Sequence, residues 1–212
     1  MKKLFLLSFL FLSFFVFGQD VSIPRPKNEL LYTEYTSRKS SPYIKKIIES
    51  TGWIAKDGEN FAFFQETPSL LKVVNKGDEM SLKIGNNKPM KMKKSAAGNG
   101  EFNEVNILFT ADTAELNRVF AINCEAAGEK MRYFLQPKSK DGAIGKIEYM
   151  RFVSIDDKLE KLEMKYKNGT VLEFKFFNTV TGEFIDEKKF DYPFISDAPF
   201  SEFGENFISN FF

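Results

Sequence analysis

The feature that most narrows what this chain can become is a period-two alternation of apolar and polar residues, repeated in short stretches. Leu82 and Ile84 alternate with Ser81 and Lys83, Met90 and Met92 with Lys91 and Lys93, and Leu172, Phe174 and Phe176 with Val171, Glu173 and Lys175. Successive side chains of an extended strand point to opposite sides, so this pattern describes strands with one buried and one wet face. Further strands are predicted at about residues 30–37, 43–55, 61–66, 70–75, 119–125, 131–136, 144–153, 159–166 and 188–192. Turn formers separate them: Lys56-Asp57-Gly58, Asn75-Lys76-Gly77-Asp78, Gly85-Asn86-Asn87, Asp156-Asp157 and Asn168-Gly169. Consecutive hairpins of this kind make an antiparallel meander, a mainly β fold with a little helix.

The alternation stops at 100–117, where two short helical turns fit better, and Asp112 followed by Glu115 has the form of a capping box. Phe200, Phe203, Phe207 and Phe211 recur at helical steps and predict a closing helix with one aromatic side. No internal repeat, low-complexity tract or linker divides the chain.

Lys2 and Lys3 precede an apolar run from Leu4 to Val16 that ends at Val16-Phe17-Gly18. A positive start, a short apolar stretch and a small final residue describe a secretory signal peptide, and the run is too short to cross a bilayer. The expected organisation is a signal at 1–18 and one domain at 19–212. Losing Lys2 and Lys3 takes the basic count from 30 to 28 against 29 acids, which leaves no net basic pull toward nucleic acid. No Cys lies near the cut to carry a lipid anchor, so a soluble exported protein is expected.

The chain has no His. Catalytic triads, Cys-His pairs and conventional zinc sites all need an imidazole, and no spacing singles out a pair of carboxylates, so neither an enzyme nor a metal or cofactor site is expected. Cys124, the one thiol, reads as a small buried hydrophobe.

A curved sheet must have its concave face covered. A small barrel fills that space with side chains, whereas a wider or incomplete one keeps room for an apolar ligand. The inward candidates are Phe61, Phe63, Met80, Leu82, Met90, Met92, Tyr133, Leu135, Met164, Phe174 and Phe176, with Trp53, Leu71, Val73 and Leu172 completing the wall. Phe and Met make a pliable surface that re-packs around an acyl chain, though the same composition also suits a filled core.

Two blocks of sequence carry a resemblance. The first is Gly52-Trp53-Ile54-Ala55-Lys56, then Phe61-Ala62-Phe63-Phe64-Gln65-Glu66-Thr67-Pro68, then Leu71-Lys72-Val73-Val74-Asn75-Lys76-Gly77-Asp78. The second is Tyr133-Phe134-Leu135-Gln136-Pro137-Lys138, then 144–152, Leu159-Glu160-Lys161-Leu162-Glu163, Asn168-Gly169-Thr170, Phe174-Lys175-Phe176-Phe177-Asn178 and Phe190-Asp191-Tyr192-Pro193. In order and spacing they resemble the LolA family of periplasmic lipoprotein carriers. The resemblance implies a single open antiparallel half-barrel sheet whose apolar concave face is closed by short lid helices, here carrying Leu108, Phe109 and Leu116. It implies a periplasmic chaperone, expected to be monomeric, that takes lipoprotein acyl chains from an inner-membrane ATP-driven release transporter to an outer-membrane acceptor. LolA-like carriers of other envelope lipids, of the aryl-polyene type, fit the same residues, as does an interaction module with a filled interior.

Two departures from the family stand out. Asp57 occupies the place of an Arg that fastens the lid in family members, and Lys56 beside it reads first as part of a solvated hairpin turn. The family's N-terminal amphipathic helix is missing or truncated, because Pro24 and Pro26 interrupt 21–27. The Phe-rich C-terminal segment is expected to do that covering.

Overall fold

The computed structural model describes residues 30–77, 79–93, 113–140, 144–182 and 185–191. Six strands follow one another as hairpins: β1 (Leu31–Ser41), β2 (Ile44–Asp57), β3 (Asn60–Thr67), β4 (Leu71–Lys76), β5 (Glu79–Ile84) and β6 (Met90–Lys93). After helix α1 (Thr113–Val119), five more do the same: β7 (Phe120–Ala127), β8 (Lys130–Pro137), β9 (Ile147–Ile155), β10 (Lys158–Tyr166) and β11 (Val171–Thr181). The two meanders join where β1 pairs with β11, from Leu31↔Thr181 to Ser40↔Val171. One antiparallel sheet of eleven strands results, with β6 and β7 as its two edges. A twisted sheet of more than about ten strands curls rather than lying flat, and this one forms an open half-barrel.

The turns are built by the residues that announced them. Asp156 and Asp157 both take left-handed backbone (φ 47° and 62°), as the centre of a two-residue hairpin requires, and Gly169 at φ 84° lets β10 reverse into β11.

Alternation sorts the side chains as expected. Leu162, Met164, Leu172 and Phe174 are buried on one face, while on the other Lys161 pairs with Glu173 and Lys165 with Glu148. Every strand contributes to a single apolar cluster on the first, inner face. A smaller cluster on the outer face contains Ala55, Ala62, Val74, Ile185 and Phe190.

Two expectations need adjustment. The closing strand expected at 188–192 is not formed over its described part: Glu187–Phe190 is a 3-10 turn, with the Asp186 carboxylate accepting from the Lys188 amide at 3.0 Å. Its place is across the outer face, where the small side chains of Ala55 and Ala62 leave room for Phe190; the nearby strand edges are already paired. Residues 144–146 form another 3-10 turn, and β9 starts at Ile147. Of the helical turns foreseen in 100–117, the described residues contain α1 from Thr113. The predicted signal, the rest of that helical stretch and the Phe-rich closing helix lie outside the described residues.

Candidate functional site

The inner face is an apolar wall that runs from one edge of the sheet to the other. Phe61, Phe63, Leu71, Val73, Met80, Leu82 and Met90 line it on β3 to β6, and Tyr133, Leu135, Met164, Leu172, Phe174 and Phe176 on β8, β10 and β11. All are buried. Met92 shares the row, since its backbone pairs with Met80. From α1, Leu116 is fully buried in the same cluster and Val119 packs against it, so the helix covers part of the wall as a lid would. Leu108 and Phe109 lie outside the described residues.

Trp53 is a correction. Gly52 and Ile54 point inward, so the residue between them points out. Its indole stacks on Phe64 at 5.2 Å, tilts against Tyr32 at 6.2 Å and lies under the Lys189 ammonium at 4.4 Å. It belongs to the outer cluster, not to the wall.

The centre of the wall is a residue that alternation did not single out. Tyr35 on β1 is buried, stacks on Phe63 at 5.3 Å and meets Phe174 edge-on at 5.3 Å. Its hydroxyl reaches across β2 to donate to the Phe64 carbonyl at 3.3 Å. The path lies over Gly52, paired with Tyr35, where an added Cβ would fall 1.9 Å from the Phe64 oxygen and 2.9 Å from the Tyr35 hydroxyl. The glycine that opens the first family-like block therefore exists to let backbone and ring approach each other. Burial, helped by the negative charge of Glu66, holds the Tyr35 phenol well above its ordinary value.

Other wall members escaped the pattern for a physical reason. Ile147 and Met150 are both buried inward although three apart, because the β9–β10 register slips between Tyr149 and Ile147. A bulge of this kind moves an extra residue past one partner and inverts the alternation beyond it.

Two polar residues break the wall in one row across the strands, Leu31–Lys56–Phe61–Asn75–Met80. Lys56 is buried on the strand and takes no part in a solvated turn; β2 runs on to the exposed Asp57 and the turn proper is Gly58-Glu59. Asn75 is 3% exposed and its Oδ1 has no hydrogen-bond partner. Cys124 is the other correction. It is exposed on edge strand β7, where no further strand covers it. No cluster of His, Cys, Asp or Glu able to hold a metal occurs among the described residues, nor any helix long and apolar enough to cross a membrane.

Fold and site together define a class: an open antiparallel half-barrel with an apolar inner face partly covered by a short helix. Solved structures that resemble it include a LolA superfamily protein from Nitrosomonas europaea, at 9% identity and a TM-score of 0.43 over 81% of this chain and 94% of that one. A protein of the DUF1329 family from Desulfovibrio piger matches at 11% identity and 0.45 over 78% and 90%. A putative outer membrane lipoprotein-sorting protein domain from Vibrio parahaemolyticus matches at 8% and 0.44 over 79% and 92%. No family signature and no curated protein matches the sequence. The family that the motifs resemble thus recurs among the structural neighbours. At these scores the likeness carries no functional argument, and the chain's own residues must.

Proposed function

We propose that this protein is an exported carrier that hides lipoprotein acyl chains against its inner face and takes them across the periplasm from the inner to the outer membrane. The observation that supports this is a broad apolar wall, fed by every strand of an open sheet, rich in Phe, Met and Leu and interrupted in one row by Lys56 and Asn75. Each methylene kept from water is worth roughly 0.8 kcal/mol, so acyl chains do not cross an aqueous gap bare. The signal at 1–18, an ATP-driven donor, an outer-membrane acceptor, a monomeric state and the absence of any bond chemistry belong to the same proposal.

Mass spectrometry of protein purified from its native envelope without detergent tests it. A bound acylated lipoprotein is the expected result; a bound small lipid moves the cargo to another envelope lipid. A second reading, an interaction module whose interior is simply full, is favoured by the near-complete burial of the wall residues. Under that reading nothing co-purifies, and Phe174→Ala lowers stability without altering any lipid uptake.

A further inference from the structure

The charge and the exposed apolar surface of this half-barrel are unevenly distributed along its strands. At one end the β1–β2 hairpin outruns β3: Thr51 pairs with Thr67, and residues 44–50 extend past it by roughly 20 Å at the usual strand rise. On this projection Tyr43 is 79% exposed, Ile44 48% and Ile47 45%. Lys45 and Lys46 stand exposed between the two isoleucines.

Other turns gather at the same end. Pro42 lies against Gly169 of the β10–β11 turn, where an added Cβ would come within 3.0 Å of its ring. The adjacent Lys167 amide donates to the Lys146 carbonyl at 2.9 Å, and Gly145 abuts the backbone of Lys140. Lys140, Lys146 and Lys167 are exposed. Residues 41–47, 137–140, 144–146 and 167–170 contain no acid, and the nearest exposed acids, Glu49 and Glu148, are paired with Arg38 and Lys165. At the opposite end, the turns carry exposed Asp57, Glu59, Glu129, Asp156 and Asp157, against exposed Lys130, paired with Glu160, and Lys158.

We propose that the basic end docks on an anionic bilayer surface, with the hairpin placing Tyr43, Ile44 and Ile47 at headgroup depth and the lysines against lipid phosphates. Tyr43, Ile44 and Ile47 stand together at the end of a hairpin whose β1–β2 register shifts between Lys39 and Ser41, and immersion among headgroups covers all three at once. Cationic residues flanking exposed aromatic and aliphatic ones are the ordinary composition of a surface-seated segment. The acidic turns at the far end are repelled by the same bilayer, so the strands stand upright on it. This surface does not depend on what the inner face holds.

The test is vesicle flotation, with protein purified from the periplasmic extract of an expression host. Phosphatidylcholine vesicles are compared with vesicles of equal parts phosphatidylcholine and phosphatidylglycerol. The protein is expected to float with the anionic vesicles, to leave them at high salt and to ignore pure phosphatidylcholine. Lys45→Glu with Lys46→Glu is expected to lower partitioning about twenty-fold or more, and Ile44→Ser with Ile47→Ser about tenfold. Lys158→Glu, at the other end, should leave it unchanged. All these positions lie on the surface, and unchanged circular dichroism and melting temperature verify the fold. Failure of the parent protein to float, hairpin variants that float equally well, an equal loss in Lys158→Glu, or capture by an acidic protein without capture by vesicles would each overturn the proposal.

Discussion

Gly52→Ala tests the packing on which the wall is centred. The new Cβ would sit 1.9 Å from the Phe64 carbonyl oxygen, whereas ordinary contact begins at 3.4 Å, so the two must part by 3.4 − 1.9 = 1.5 Å. The obstacle is the backbone of β3, which has no rotamer to change. Strands spaced about 4.8 Å apart do not open by that amount without losing the flanking hydrogen bonds. Overpacking of this kind costs about 1–3 kcal/mol, and one or two weakened backbone bonds add about 1 kcal/mol each. Against this, alanine reduces the unfolded chain's freedom by roughly 0.4–1 kcal/mol. The expected net loss is about 3 kcal/mol, a drop of roughly 6–12 °C in melting temperature for a chain of this size. Urea titration and calorimetry measure it. Gly85→Ala is the control: that residue has left-handed backbone at φ 52° with open space around it, and costs about 1 kcal/mol. Tyr35→Phe in the Gly52→Ala background should not restore stability, because the nearer atom belongs to the backbone. If Gly52→Ala costs no more than Gly85→Ala, the close crossing of β1 over β2 is not what the glycine serves.

Three shorter expectations follow from single groups. The raised Tyr35 phenol keeps its proton in the folded chain after the unfolded chain has lost it, so its contribution is whole below pH 10.0 and is lost as pH rises above that value; the stability gap between the parent and Tyr35→Phe should shrink only in alkaline urea titrations, and a constant gap refutes it. Asn75→Leu removes a buried oxygen without a partner and should raise stability by about 1–2 kcal/mol by urea midpoint, whereas a clear loss would mean the amide is held by bonds that matter. Exposed Cys124 should react with maleimide as fast in the native protein as in urea, and a native rate lower by orders of magnitude would place it under cover.

Most of the fold was legible because hairpins are local. Each turn dipeptide fixed one reversal, and period two then assigned Leu162, Met164, Leu172 and Phe174 to one face and their charged neighbours to the other. What escaped was decided by contacts distant in sequence. Tyr35 sits between Thr33 and Ser37, both buried with it, so β1 shows no apolar alternation; its signal is a glycine seventeen residues on, meaningful only once β1 and β2 are paired. Ile147 and Met150 were hidden by a register slip. Trp53 was taken for a wall residue because it is large and apolar, although its parity with Ala55 and against Ile54 already placed it outside. Residues 188–192 alternate like a strand in sequence, yet Glu187–Phe190 lies against β2 and β3, whose edges are already paired, and Asp186 caps it as a turn instead. Cys124 followed a composition rule that ignores its place on an edge strand.

Under the proposed function, the division between faces sets the energetics of taking up and releasing cargo. On the outer face, pairs such as Arg151–Glu163 at 3.7 Å and Lys161–Glu173 at 3.8 Å are partly exposed and worth at most about 1 kcal/mol each. They keep that face wet; the cohesion of the sheet comes from the inner wall. Cargo entering must therefore replace the contacts that it displaces. Moving a fully buried cover residue such as Leu116 into water costs about 1.5–3 kcal/mol, while an acyl chain of about fifteen methylenes gains roughly 12 kcal/mol on leaving water. A handful of cover side chains thus balances one chain, and the empty and loaded forms differ little in exposed apolar area. That near balance favours release, because a membrane shelters the chain equally well. A wall left wet in the empty state would hold its cargo too tightly to give it up, and would aggregate before finding any. Close burial of the wall is thus compatible with the proposed carriage as well as with a filled interior.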